Sequence, residues 1–305
     1  MQLIKPVTVT DSILTATNIT EDDYAVWNSG TAYVVGDKAI STVTHRIYEA
    51  LINNTNVDPT GAATDPATWL DIGATNRWKA FDQKISDPVT NLNLIEYTLN
   101  DPASNVTSVA LFGLKGISAN VTVTDTTVGG DGEVYNQTVS LLDNRNIVDW
   151  YTYFFEEQVQ REQAQFLDLP PYLGSNVEVT VTSATGDTTE LGQLVLGFLS
   201  NIGTTSYGTS ITIEDYSRKE VDAFGNFIIV QRDFAQLADF DVQFETKNAR
   251  KIQRTLAEFR ATPIVYVGSE DTSYGTTIYG FYRRFDLTLE GPSLSFGAIE
   301  VEGLT

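Results

Sequence analysis

The chain has 305 residues, carries 40 Asp and Glu against 19 Lys and Arg for a net charge of -21, and contains no cysteine. A surface that acidic repels phosphate backbones and anionic headgroups, so neither nucleic acid nor membrane insertion is expected of it. The missing cysteines remove disulfides, thiolate metal sites and thiol nucleophiles together.

The opening residues Met1 to Pro6 lack the apolar core of a signal peptide, and residues 191–202 are too short and too interrupted by Gly and Gln for a membrane span. A soluble protein made in a cytoplasm is expected. Thr, Val, Asn, Asp, Gly and Tyr dominate, with one His and one Met. That profile favours many short strands joined by polar turns, hence a mainly β chain. The length admits two or three domains.

In chain order, residues 1–23 form an N-terminal strand segment, with alternation over 7–16 leading into Glu21, Asp22 and Asp23. Residues 24–72 read as a small module. Gly36-Asp37 after Val34-Val35 is a hairpin-turn signal, and 38–44 and 46–51 read as strands. A unit of about forty residues without cysteines buries little, so Trp27, Tyr33, Tyr48 and Trp69 must supply much of its core. Residues 71–82 leave the module and are too apolar for a free linker. Trp78 and Phe81 are the expected anchors against the next domain.

Residues 73–189 read as a β-sandwich of jelly-roll or immunoglobulin-like kind, with strands near 92–99, 108–114, 120–125, 133–141 and 177–182. The loop Val128-Gly-Gly-Asp-Gly132 precedes no helix and no Lys-Ser/Thr, so it is a turn and not a phosphate cradle. Residues 149–155 are densely aromatic, and 158–165 are polar. Residues 190–305 read as a C-terminal antiparallel sheet with one covering helix, 246–260. There Ala249, Ile252, Leu256 and Phe259 recur at helical spacing and Pro263 ends the run. Residues 191–202 are expected to form a buried strand pair, and Asp222-Ala-Phe-Gly-Asn226 a turn.

Chemistry-bearing constellations are sparse. His45 is the one histidine, and no Gly-x-Ser-x-Gly elbow accompanies it, which argues against a Ser-His-Asp triad. Metal sites built from several histidines fail by count, and the acidic clusters do not fit a calcium loop. No cofactor or metal is expected. A carboxylate-pair glycosidase would need two acids across a cleft, which spacing alone cannot display. Two cationic pairs stand out on an acidic chain, Arg218-Lys219 and Arg283-Arg284. Each reads either as a hairpin with internal salt bridges or as a contact between subunits. Strand alternation would place Tyr282 and Arg284 on one face, Arg283 and Phe285 on the other.

The order of parts from Trp27 through Gly36-Asp37 and Tyr48 to Trp69 resembles the small chitin-binding-type modules of carbohydrate-binding families 5 and 12. The resemblance implies a three-stranded unit with Trp27, Tyr33, Tyr48 and Trp69 as candidate glycan-binding residues. Sugar-binding members place further aromatics where this chain has Leu51-Ile52-Asn53. More broadly, the N-terminal strand, this module, Thr75 to Asp82, the Asp215 to Lys219 block and Tyr279-Gly280-Phe281 resemble a type of tailed-bacteriophage structural protein. That resemblance implies a non-enzymatic, multi-copy virion component of the tail, baseplate or collar, assembled in the bacterial host cytoplasm. Its implied partners are other copies of itself, neighbouring virion proteins and a host cell-surface glycan. The competing reading is a stand-alone glycan-binding protein or an accessory domain of a glycosidase.

Overall fold

A computed structural model describes residues 1–100, 106–127, 129–143, 147–155, 159–172, 174–221, 224–271 and 274–304. Val128 of the glycine-rich turn, Gln158 of the polar stretch, and Asp222 and Ala223 of the predicted turn lie outside the described residues. The protein is mainly β, as its composition predicts.

One large antiparallel sheet organises the molecule. Its strands run in the order Gln163–Phe166, Ser108–Phe112, Gln193–Asn201, Gln2–Pro6, Ile264–Val267, Thr277–Thr288, Leu294–Gly303, Phe234–Glu245 and Thr204–Thr205, with Ser210–Asp215 also paired to Phe234–Glu245. A second antiparallel sheet lies in the order Gly132–Ser140, Ser118–Asp125, Ser175–Thr182, Leu94–Asn100 and Leu14–Thr17. Its inward residues alternate cleanly, Ile95, Tyr97 and Leu99 on one strand and Val177, Val179 and Val181 on the next. They meet Val109, Leu111, Phe166, Leu194 and Leu196 of the large sheet in one core, a sandwich-like packing of two sheets.

The central strands of the large sheet are buried on both faces. Ser108–Phe112 and Ile264–Val267 have no exposed residue. On the face away from the sandwich core, Phe112 and Tyr279 stack with ring centroids 5.9 Å apart. Their strands are four positions apart in the sheet, which is about 19 Å in a flat one. The sheet is therefore curled, and its concave face closes around Ile4, Val195, Val265 and Tyr279. Two glycines permit the curl. A Cβ at Gly197 would sit 1.9 Å from the Lys5 carbonyl oxygen, and one at Gly280 1.9 Å from that of Glu302.

Several sequence expectations change here. The strand run predicted over 7–16 is replaced by Gln2–Pro6 in the large sheet and Leu14–Thr17 in the second, with the chain crossing between them. The buried strand pair predicted over 191–202 is one long strand, Gln193–Asn201, because Thr188–Leu191 pairs instead with Val89–Leu92. Gly192 makes the break, packed against the Ile85 and Phe112 carbonyls where a Cβ would collide. The predicted helix forms as Ala249–Glu258 behind a 3-10 turn, Thr246–Asn248, with Ile252 and Leu256 buried against Phe240, Tyr266 and Val301. A second helix, Trp150–Phe155, occupies the aromatic stretch. Arg283 sits at a β-bulge, so the predicted alternation breaks: Tyr282 and Phe285 share the core-facing side, leaving both arginines on the other.

Candidate functional site

The small module contains the three-stranded sheet Lys38–Ser41, Arg46–Ala50 and Trp69–Ala74, with a two-residue ladder between Ala32–Tyr33 and Asn54–Thr55. Gly36 takes the positive φ its turn requires, 91°. That turn joins strands that pair with other partners. The tight hairpin of the module is instead 42–45, where His45 itself holds φ 55°. Tyr33 and Tyr48 are buried, whereas Trp27 and Trp69 are half-buried around Ala39 and Ala50. Tyr33 meets the Trp69 ring edge-on at 5.0 Å, and its hydroxyl accepts from the Asn28 amide at 2.9 Å. The Trp69 indole donates to the Val57 carbonyl at 2.9 Å, and the Tyr48 hydroxyl pairs with Thr44 Oγ1 at 3.1 Å. The four aromatics thus point into the module and fix its turns. They present no flat row of exposed rings.

Where the module meets the body, polar and aromatic groups interlock. His45 Nδ1 lies 3.0 Å from Glu21 Oε1 and Nε2 lies 3.1 Å from Asp11 Oδ1. A triad would need a hydroxyl at one of these nitrogens; carboxylates hold both. Glu21 also accepts from Thr75 Oγ1 at 3.0 Å, and Asp23 accepts from the Asn76 amide at 3.2 Å. The 3-10 turn Asn76–Phe81 then places Trp78 flat on the His45 ring at 4.1 Å. Phe81 stands edge-on to both Trp78 and Tyr97. The buried Tyr97 hydroxyl donates to the Arg77 carbonyl at 2.7 Å. Trp78 and Phe81 join one continuous core with the sandwich sheets. This junction unites the N-terminal segment, the module and the second sheet.

The cations singled out in the sequence have partners within the chain. Arg218 pairs with Glu220 at 2.7 Å and Lys219 with Asp215 at 2.6 Å. The Lys219 ammonium, followed by the Ser217 hydroxyl and amide, holds the Asp215 carboxyl well below the usual carboxylate range. Arg283 gathers three acids from two strands, Glu302 at 2.7 Å and Glu300 at 3.7 Å from Leu294–Gly303 and Glu214 at 3.5 Å from Ser210–Asp215. Arg284 pairs with Asp286 at 2.8 Å.

Two elements do the opposite of burying their apolar groups. Arg218–Val221 and Phe227–Val230 pair only with each other, forming an arm whose residues are exposed on both faces. Phe227 is 74 % exposed and Ile229 66 %. The helix Trp150–Phe155 has no buried residue, with Trp150 78 % and Phe155 74 % exposed. Its rings pack on one another, Trp150 on Phe154 and Tyr151 against Phe155. Asp149 caps it, accepting from the Thr152 amide at 2.8 Å. The sequence marks 149–155 as densely aromatic and 227–232 as a strand, but the exposure of neither. A continuous apolar run such as Phe227-Ile-Ile-Val230 has the pattern of a fully buried strand, and only the flanking cations hinted otherwise.

A concavity of about 510 Å³ lies between the helix Ala249–Glu258 and the sheet edge at Asn201 and Gly203, open and lined partly by Gln243, Asn248 and Lys251. Among the described residues no group of three or more His, Asp or Glu is gathered closely enough to hold a metal ion. Compared with protein-family models, with curated proteins and with solved structures, the chain matches none.

Proposed function

We propose that this chain is a non-enzymatic, multi-copy structural component of a bacteriophage particle, in the tail, baseplate or collar region. The observation that carries the assembly reading is the pair of apolar elements, the arm and the aromatic helix, held out from a well-packed body. Monomeric proteins seldom expose contiguous apolar patches of this size, and such patches mark association surfaces. The placement in a virion is supported by the sequence resemblance described above. The small module, bound to the body through His45 and Trp78, is then a fixed appendage of each subunit.

Light scattering over a range of concentrations, with electron microscopy of the same sample, tests assembly. A defined oligomer is expected. A monomer at every concentration would overturn the reading. Detection of the chain by mass spectrometry in purified particles tests the location, and its absence from them would remove the virion assignment.

A further inference from the structure

We infer that the groove between residues 204–211 and the described residues 268–271 and 274–276 binds an uncharged saccharide, with Tyr207 and Tyr274 as its stacking rings. The inference goes beyond the assembly reading and does not depend on it.

Both walls are connections between strands of the large sheet. One spans the join of Thr204–Thr205 to Ser210–Asp215, two strands that both pair with Phe234–Glu245. The other lies between Ile264–Val267 and Thr277–Thr288, which pair with each other. Thr205 Oγ1 donates to the Gly268 carbonyl at 2.7 Å and so ties one wall to the other. The Ser206 amide donates to the Asp241 carbonyl at 2.8 Å, and the Gly268 amide to the Thr276 carbonyl at 3.0 Å. The sheet thus holds both walls in place ahead of any ligand, which keeps the ordering cost of binding low.

Tyr207 is fully exposed and Tyr274 is 60 % exposed, and both line one concavity of about 350 Å³. A lone exposed tyrosine is ordinary. Two on one hollow offer ring faces to whatever enters it, unlike the four aromatics of the small module, which point inward. The other side chains there are Thr205, Ser206, Thr209, Ile211, Ser269 and Thr276, and none is charged.

That lining selects a ligand class. Hydroxyls both donate and accept, so they suit a ligand whose own polar groups do the same. The electron-rich face of a tyrosine ring takes partially positive C–H groups. A pyranose carries both features, C–H groups on its faces and hydroxyls around its rim. A charged ligand would meet no opposite charge in this hollow, and an anionic one would be repelled by a chain of charge -21. An extended peptide needs recesses for alternate side chains, and the hollow has Ile211 as its one aliphatic side chain among the described residues. Thr276 is 9 % exposed, and its hydroxyl has no partner among the described residues. In the adjoining hollow Gln2 Oε1 is unpartnered in the same way. Buried polar groups are seldom left so, and two of them lie along this groove.

The groove is longer than one sugar needs. A second concavity of about 240 Å³ shares Thr205, Gly268 and Ser269 with the first. The concavity of about 510 Å³ beside the helix shares Asn201, Gly203 and Thr204 with the second. The three follow one another along residues 200–211, which favours a chain of several sugars.

The test is calorimetric titration of the full chain with cellohexaose, maltohexaose and an N-acetylglucosamine hexamer, beside an oligogalacturonate and a Gly-Ser peptide of similar length. At least one uncharged hexamer is expected to bind, more tightly than its own dimer and more tightly than the acidic sugar or the peptide. Tyr207→Ala and Tyr274→Ala are each expected to weaken it about tenfold, and the double variant to abolish it. Both side chains are exposed, so circular dichroism and thermal midpoint should stay at the wild-type values. Should Tyr274→Ala fall short of that, Tyr274→Leu keeps the bulk without the aromatic face and repeats the test. No heat from any uncharged hexamer at millimolar concentration would overturn the inference. Full affinity in the double variant would also overturn it, by putting the sugar elsewhere on the chain. Tighter binding of the peptide would overturn it in favour of a peptide groove. The assembly reading stands or falls separately, on the light scattering above.

Discussion

Replacing Trp78 by alanine should uncouple the module from the body. Trp78 is 8 % exposed, stacked on His45 at 4.1 Å and edge-on to Phe81 at 5.8 Å. Its indole Nε1 has no hydrogen-bond partner among the described residues, so the loss is one of packing. Deleting a buried Trp side chain costs about 3–5 kcal/mol, a large share of the roughly 5–15 kcal/mol that separates folded from unfolded states. At a urea dependence of about 3 kcal/mol per M, suited to a chain of this size, the midpoint should drop by about 1 M or more. Trp27 and Trp69 lie in the module, so tryptophan fluorescence follows it while far-ultraviolet circular dichroism follows the sheets. In Trp78→Ala the fluorescence transition should come first and separate from the dichroism transition. Trp78→Phe, which keeps an aromatic face for His45, should lose less than half as much. A Trp78→Ala protein whose two transitions coincide with each other and with the wild type would refute the reasoning, because the module would then be held by something other than this stack.

Two further outcomes follow from the curled sheet. Gly197→Ala places a methyl 1.9 Å from the Lys5 carbonyl oxygen, forcing backbone strands apart at a cost at or above the roughly 3 kcal/mol upper end of ordinary overpacking. A sharp fall in denaturation midpoint or soluble yield is expected, against little change for Gly291→Ala, whose nearest neighbour would be 3.4 Å away. In alkali, burial and then the nearby Asp82 charge push the Tyr279 hydroxyl from 10.0 up to about 12, and burial raises Tyr97 and Tyr266 as well. A raised folded-state value means the contribution is fully present below pH 10 and is lost as pH climbs, because the unfolded chain ionises first. Tyr279 alone should cost about 2 kcal/mol between pH 10 and 12. Urea midpoints over that range, set beside those of Tyr279→Phe, measure it, and an equal fall in the two proteins would contradict it.

The parts of the fold that were legible in the sequence are those where a local period coincides with a burial pattern. The helix at Ala249–Glu258 shows itself because Ala249, Ile252 and Leu256 recur at its spacing with Arg250 and Arg254 between them. The second sheet shows itself because Val177, Val179 and Val181 alternate with polar residues. Strand partnership is another matter. Nothing local to Thr188–Leu191 states that it pairs with Val89–Leu92 and breaks away from Gln193–Asn201. The bulge at Arg283 depends on the register of a strand nearly twenty residues later. At the junction, the aromatic spacing of Trp78 and Phe81 marked the segment as apolar. Its link to Asp11, Glu21 and His45 is a tertiary meeting of three distant stretches. Of the exposed arm, the cations beside it were visible; the exposure of Phe227 to Val230 was not, since a swallowed strand has the same composition.

The position of Gln2–Pro6 in the interior of the large sheet has a bearing on how the chain comes off the ribosome. Its two neighbours, Gln193–Asn201 and Ile264–Val267, are made long after it. Until they are made the first strand therefore has an open hydrogen-bonding edge and two apolar side chains, Leu3 and Ile4, with nowhere to go. The second sheet can assemble from residues 14–182 in the meantime, but the large one closes only once Leu294–Gly303 has been made. Such long-range closure is slow and leaves edges that invite pairing with other nascent copies. Translation speed and holdase chaperones should thus govern the yield of this protein more strongly than its final stability does.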